Sequence, residues 1–144
     1  MNKEEYQVMF STEETYWWFV ARRKLVVSLL KSYLKQVPDN RLLDIGCGTG
    51  NNLIEFNKLG QAMGLDNSQE AIDFCKQRGL TNVVNQDAEK ISLEKESFDA
   101  ITMLDVMEHV QDDMALLKNC YELCAKDGFL LITVPAYGFL WSEH

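Results

Sequence analysis

Residues 42–50, with the sequence LLDIGCGTG, decide the fold of this chain. A short apolar run leads directly into three alternating glycines, and residues 51–59 then place apolar side chains at helical spacing up to Gly60. Glycines at this position allow positive φ angles and a close approach of the backbone to a ligand. The pattern predicts a strand, a tight turn and a helix, the unit from which parallel α/β sheets are built.

The alternation of strand and helix continues on both sides of this stretch. Upstream, an apolar stripe over residues 20–37 predicts an amphipathic helix that ends at Pro38. Downstream, the pattern predicts strands at 62–65, 82–85, 98–106 and 129–134, with helices at 69–78 and 112–125. Five strands joined by helices predict a doubly wound, Rossmann-like α/β fold, with a mostly parallel sheet and helices on both faces. We expect residues 1–38 to form an N-terminal helical cap and residues 39–144 to form the sheet domain.

Length and composition indicate one ordinary globular domain. The 144 residues are 47% hydrophobic, and 14 basic against 22 acidic side chains give a net charge of −8. This charge is a poor match for nucleic acid or an anionic membrane, so we expect neither as a partner. The sequence shows no secretory leader and no apolar run long enough for a membrane span, so we expect a cytoplasmic protein.

Asp66 ends the second predicted strand, about 20 residues after the first glycine of the turn. A carboxylate there can accept hydrogen bonds from both hydroxyl groups of a ribose, whereas the simpler alternative is a βα turn beside a surface aspartate. A dinucleotide fingerprint needs its third glycine where this chain has Asn51, which weakens the interpretation as a nicotinamide-dependent reductase. The two features together predict a site for a ribose-containing cofactor.

From about residue 41 to residue 135 the sequence resembles the class I S-adenosylmethionine-dependent methyltransferases. The first motif of that family is an acidic residue followed by GxGxG, which Asp44 and the three glycines match. Further matches follow in the family's order: GLDNS at 64–68, QDA at 86–88, FD at 98–99, LDVMEHV at 104–110 and GFLLI at 128–132. The resemblance implies binding of S-adenosylmethionine and methyl transfer to an oxygen, nitrogen or carbon atom of a small-molecule acceptor.

The resemblance also assigns residues to the cofactor. It places the glycines under the methionine and ribose, Asp66 at the ribose hydroxyls, Asp87 at the adenine amine and an N-terminal arginine at the methionyl carboxylate. The complete predicted set is Arg22, Asp44, Gly46, Cys47, Gly48, Gly50, Asp66, Asn67, Asp87, Ala88 and Leu104. Asp87 as a turn cap and Leu104 as a core residue remain open. The aromatic segment at 16–19 resembles a helix that lids the cofactor pocket in small-molecule members of the family.

His109 is the predicted catalytic residue, because an imidazole exchanges protons near neutral pH and can act as a general base. With Asp105 and Glu108 it resembles an acidic and histidine cluster that binds a divalent metal in some quinone-pathway relatives. The alternative is that Glu108 and His109 only end the strand and begin the next helix. We predict no metal site, either here or at Cys120 and Cys124, whose spacing is typical of core cysteines on one helix face.

Two other functions remain open from the sequence: a catalytically silent module that keeps the S-adenosylmethionine or nucleotide pocket, and an NAD(P)-dependent reductase. The catalytic domain of the resembling family usually has seven strands, and this sequence ends soon after the fifth. We therefore expect an incomplete, weakly active fragment. An unpaired fifth strand followed by Phe139, Leu140 and Trp141 predicts self-association as a homodimer.

Overall fold

The computed structural model describes residues 3–136 as one sheet with helices packed around it. The elements in chain order are α1 (Lys3–Thr12), α2 (Trp17–Tyr33), β1 (Arg41–Ile45), α3 (Asn51–Phe56), β2 (Gln61–Asp66), α4 (Gln69–Gln77), β3 (Val83–Asn85), β4 (Phe98–Leu104), α5 (Asp113–Leu123) and β5 (Cys124–Thr133). The strands lie in the order β3-β2-β1-β4-β5, and each neighbouring pair is parallel. The prediction of a five-stranded, Rossmann-like α/β fold with N-terminal helices is confirmed.

The strand order reverses at β1. The chain runs outward from β1 to β2 and β3 and then returns to place β4 on the other side of β1. Ile45, the last residue of β1, therefore lies between Leu65 of β2 and Met103 of β4. Sheets of this kind bind ligands outside the carboxyl ends of the strands at such a reversal. The glycine turn leaves the sheet at that point.

Two apolar clusters cover the two faces of the sheet. The first joins Leu30 of α2, Phe56 of α3 and Cys75 of α4 to one face, and the second joins Leu116 of α5 to the other. Because both faces of β1 are covered, its four residues after Arg41 are all buried, and the strand shows no alternation of polar and apolar side chains. Asp44 is the one charged residue among them.

The N-terminal region contains two helices where the sequence predicted one. The helix predicted at 20–37 begins earlier, at Trp17, and ends at Tyr33, well before Pro38. The preceding helix α1 carries apolar residues at helical spacing only at Tyr6, Met9 and Phe10. An apolar pattern that lasts for only one helical turn is a weak signal, and short helices depend on tertiary packing for their stability.

The fifth strand is longer than predicted. The predicted helix at 112–125 ends at Leu123, and β5 begins at Cys124 rather than at residue 129. The first part of β5 contains Lys126 and Asp127, which carry no strand signal, and Asp127 has a positive φ of 67°. The pairing register with β4 shifts there.

Among the described residues no helix has the length and apolar character needed to cross a membrane. The predicted exposure of Phe139, Leu140 and Trp141 falls outside the described residues.

Candidate functional site

The turn after β1 takes a conformation that only glycine adopts easily. Gly46 and Gly48 have φ angles of 72° and 55°. A Cβ atom on Gly46 would lie 2.3 Å from Cγ2 of Val106, and one on Gly48 would lie 2.8 Å from Cε of Met9. The amide of Gly46 donates to the carbonyl of Leu65 at 2.7 Å. Gly46 therefore needs glycine for both its conformation and the space around it, whereas Gly48 needs it for its conformation.

Asp66 lies beside this turn at the end of β2. Its side chain is held by two backbone amides, with Oδ2 accepting from Gly48 and Oδ1 from Ser68, both at 2.9 Å. Burial raises the pKa of Asp66, and the two N–H groups oppose that rise. A carboxylate has about four acceptor positions, so both oxygens keep capacity for a further donor. Asp66 is thus a fixed acceptor at the carboxyl edge of the sheet.

Asp44 is a fully buried carboxyl group one residue before the end of β1. Its Oδ1 accepts a hydrogen bond of 2.6 Å from Oγ1 of Thr102 on β4. Burial raises the pKa of Asp44 to about 7, although Thr102 and the positive charge of Arg22 oppose the rise. A group with this pKa exchanges its proton near neutral pH.

Arg22 of α2 reaches the same edge of the sheet. It forms an ion pair with Oδ2 of Asp105, the residue after β4, while Oδ1 of Asp105 accepts from Oγ1 of Thr133 at 2.8 Å. Asp105 has a positive φ of 58°, which is uncommon for a residue other than glycine. The contacts tie α2 to the ends of β4 and β5 and give Arg22 a carboxylate partner within the protein.

Buried polar atoms that lack a hydrogen-bond partner gather near this edge. Within residues 3–136 there are four, and three of them belong to Asp44 (Oδ2), Asn51 (Nδ2) and Glu108 (Oε2). Each such atom costs about 1–3 kcal/mol unless a ligand or water satisfies it. The residues next to the glycine turn therefore fit a polar ligand. Asn51 and its amide were not among the predicted site residues.

Helix α1 covers the glycine turn and Asp66. Tyr6 is buried, and burial together with the charge of Asp66 raises its pKa to about 12. Trp17 and Trp18 of the predicted lid at 16–19 are 66% and 49% exposed, and the role of this segment as a lid stays a prediction. Sequence reasoning missed α1 as the covering element. The short stripe of Tyr6, Met9 and Phe10 was the available signal.

The predicted adenine side of the site begins after β2 and β3. Asn67 is exposed and follows Asp66 directly. Asp87 caps a short 3-10 turn, where its Oδ1 accepts from the amide of Glu89 at 3.0 Å. Ala88 is half-buried against the second core cluster. The cap is therefore formed, and contact of these three residues with adenine stays a prediction.

Two other predicted residues belong to the core as well as to the edge. Leu104 is 7% exposed at the end of β4. The Cys47 thiol lies 4.0 Å from the Cys75 thiol, and this contact together with burial raises the pKa of Cys47. The backbone of Cys47 belongs to the glycine turn, while its side chain packs into the first core cluster. Contact of Leu104 and Cys47 with a cofactor stays a prediction.

His109 ends the 3-10 turn Met107–His109 that follows β4. The residue is exposed, and its amide donates to the carbonyl of Val106 at 3.0 Å. The turn places Glu108 and His109 after β4, one of the two neighbours of β1, at the edge where sheets of this kind bind ligands. The helix α5 begins only at Asp113, so these residues do not start it. A role of His109 as a base stays a prediction.

The sequence matches a family model described as a methyltransferase domain over residues 43–132. It is 30% identical to a ubiquinone biosynthesis O-methyltransferase of Coxiella burnetii, in an alignment that covers 92% of this chain and 62% of the relative. The chain therefore spans 62% of the length of that curated relative.

Solved structures share the fold. A SAM-dependent methyltransferase from Archaeoglobus fulgidus is 30% identical with a TM-score of 0.63, covering 78% of this chain and 53% of the other. Phosphoethanolamine N-methyltransferase 2 of Haemonchus contortus, solved in complex with S-adenosyl-L-methionine, is 25% identical with a TM-score of 0.68. That match covers 77% of this chain and 28% of the other.

The raised pKa of Asp44 predicts a specific dependence of stability on pH. The folded state holds the Asp44 proton more tightly than the unfolded state, so this group stabilises the fold at low pH. We expect its contribution, on the order of 4 kcal/mol, to be lost as pH rises from about 4 to about 7. Urea unfolding of the wild type and of Asp44→Asn across this range measures the difference. If the free energies of unfolding of the two proteins changed in parallel with pH over the whole range, the raised pKa of Asp44 would be contradicted.

Proposed function

This chain belongs to the methyltransferase domain family, and we propose that it binds S-adenosylmethionine and transfers the methyl group to a small-molecule acceptor. The observation that carries the proposal is the Asp66 carboxylate, which accepts a 2.9 Å hydrogen bond from the Gly48 amide. This bond places a fixed acceptor for ribose hydroxyls directly beside a turn that a ligand can approach closely. The comparisons support neither the reductase nor the silent module.

Different residues at this edge contact different parts of the cofactor. Asp66 binds the ribose, the amides and glycines of the turn lie along the ribose and methionine, and Asp87 with Ala88 lies at the adenine. Asp44 contacts the methionyl amino group through a water molecule, and Arg22 provides a positive charge for the methionyl carboxylate. When bound, the cofactor supplies an activated methyl group, so the protein contributes mainly alignment.

The acceptor nucleophile is an oxygen atom. The named curated relative is an O-methyltransferase, which supports this choice over nitrogen or carbon. His109 follows β4 at the same edge and takes the proton of the acceptor hydroxyl as a general base. Residues 1–38 serve as a helical cap over the domain formed by the later residues, and the protein acts in the cytoplasm.

Replacing Asp66 tests the cofactor site. We expect Asp66→Ala to weaken binding of S-adenosylhomocysteine at least about tenfold, because the ribose hydroxyls lose a charged acceptor. Isothermal titration calorimetry measures the affinity, and circular dichroism verifies the fold. Asp73→Ala, an exposed acidic residue on α4, is the matched control and should bind as the wild type does. An unchanged affinity in a folded Asp66→Ala protein would contradict the ribose assignment.

Replacing His109 tests the catalytic proposal. With S-adenosylmethionine labelled in its methyl group and a panel of small phenols as acceptors, we expect His109→Ala to lower turnover about 100-fold or more. Its affinity for S-adenosylhomocysteine should stay within about twofold of the wild type, because His109 is assigned to the acceptor and not to the cofactor. Equal turnover by wild type and variant would remove His109 from the reaction.

Self-association is proposed through the β5 edge. β5 is the outer strand of the described sheet and leaves one row of backbone groups unpaired there. We expect sedimentation velocity to show a dimer whose population rises with concentration. Val134, which follows β5 and is 53% exposed, gives a test position. Val134→Lys should weaken the dimer because a charged side chain at the end of an edge strand opposes pairing with a second copy. A wild type that remains monomeric at high concentration would contradict this proposal.

A further inference from the structure

Arg78 follows α4, and its side chain donates hydrogen bonds to four acceptors in two other parts of the chain. Its side chain is only 7% exposed. It donates to the carbonyl of Thr49 at 3.0 Å, the carbonyl of Phe10 at 3.2 Å, Glu13 Oε1 at 2.8 Å and Glu14 Oε1 at 2.6 Å. The guanidinium carbon also lies 4.2 Å from the centre of the Phe10 ring. One arginine therefore joins the end of α1 to the glycine turn.

Glu13 belongs to the same network and contacts both Arg78 and the glycine turn. Its carboxylate is buried, and besides Arg78 it accepts a hydrogen bond from the hydroxyl of Thr49. Thr49 is fully buried in the middle of the glycine turn. Arg23 of α2 donates to the backbone carbonyl of Glu13 at 3.1 Å. The segment after α1 is thus fixed to the turn by charged groups that are shielded from water, where such contacts are strongest.

The position of α1 closes the proposed cofactor site. The Met9 methyl lies over Gly48, and Tyr6 lies against Asp66. Two cavities of about 470 and 360 Å³ lie elsewhere, one along α2 beside Lys24 and the other beside Asn40 at the opposite end of β1. Asp66 is only 6% exposed with α1 in this position, so a molecule that binds to its carboxylate requires α1 to move.

We propose that Arg78 and Glu13 are positioning residues that latch α1 over the glycine turn and thereby set how long the cofactor stays bound. The inference rests on the proposed function, because it takes S-adenosylmethionine as the molecule under α1. Opening α1 separates two buried charges and exposes the Thr49 hydroxyl, so these contacts break together rather than one at a time. A ligand held under the latch leaves at the rate at which the latch opens.

The test uses the full chain with the latch charges removed together. In Glu13→Gln/Arg78→Met both buried charges are replaced by uncharged side chains of similar size, which avoids leaving one charge unpaired in the interior. We expect the dissociation rate of S-adenosylhomocysteine, measured by stopped-flow competition, to rise at least about tenfold. Glu14→Gln is the matched control. Glu14 contacts the same arginine, but its side chain is 62% exposed, so a change below about twofold is expected.

Hydrogen exchange of the ligand-free protein separates a latch from general stabilisation. We expect faster exchange in the double variant to be confined to α1, with the amides of β1 and β4 still protected as in the wild type. Faster exchange throughout the sheet would show a merely structural role and would overturn the proposal. Unchanged dissociation, or unchanged exchange of α1 in a folded variant, would also overturn it.

The same experiment distinguishes a failure of the proposed function from a failure of the latch. A wild-type chain that binds no S-adenosylhomocysteine would contradict cofactor binding itself and the residence-time role with it. A wild type that binds, beside a double variant that releases the ligand at the same rate, would contradict the latch alone.

Arg78→Lys provides a further check, because lysine keeps the charge but lacks the planar fork that contacts four acceptors. Its dissociation rate should lie between those of the wild type and the double variant, and a rate equal to the wild type's would contradict the role of the fork.

Discussion

The hydrogen bond from the Gly48 amide to the Asp66 carboxylate is the contact on which the site depends. It joins the turn after β1 to the end of β2, and it can form only because glycine takes the positive φ of 55° at this position. The parallel sheet brings these two strand ends together, and the reversal of strand order opens the edge beside them. The fold thus places a fixed carboxylate next to the glycine backbone under α1, which is an arrangement suited to a ribose-containing cofactor.

Charged and polar groups are buried around this contact at a cost to stability. Asp44 keeps one oxygen without a partner, and Asn51 and Glu108 each keep one such atom. Arg22 pairs with Asp105, and Arg78 pairs with Glu13, in both cases between parts of the chain that are far apart in sequence. Such pairs are weak evidence for stability, because a buried charge pair rarely stabilises a fold better than apolar packing does. Their concentration at one edge of the sheet is the expected result if that edge binds a polar ligand.

Much of this could be predicted from sequence, because the signals are local. The glycine turn follows an apolar strand directly, and Asp66 follows from its spacing within one strand-helix-strand unit. Helix α1 escaped prediction because its apolar pattern lasts for a single turn, and the start of β5 escaped it because Lys126 and Asp127 are polar. The contact between Glu13 and Arg78 spans 65 residues, and nothing in either local sequence indicates the other. Contacts of that kind depend on how whole elements pack, which the periodicity of one segment does not reveal.

The most direct test of the central claim is a crystal structure of the chain with S-adenosylhomocysteine. The ribose hydroxyls should lie within hydrogen-bond distance of the Asp66 carboxylate, and the methionine part should follow the backbone of the glycine turn. The same structure should show the side chains of Tyr6 and Met9 turned away from Asp66 and Gly48, with the Arg78–Glu13 contact that holds α1 still in place. Density for the ligand in the cavity along α2, or a ligand bound elsewhere with Asp66 still covered by Tyr6, would contradict the assignment of this edge as the cofactor site.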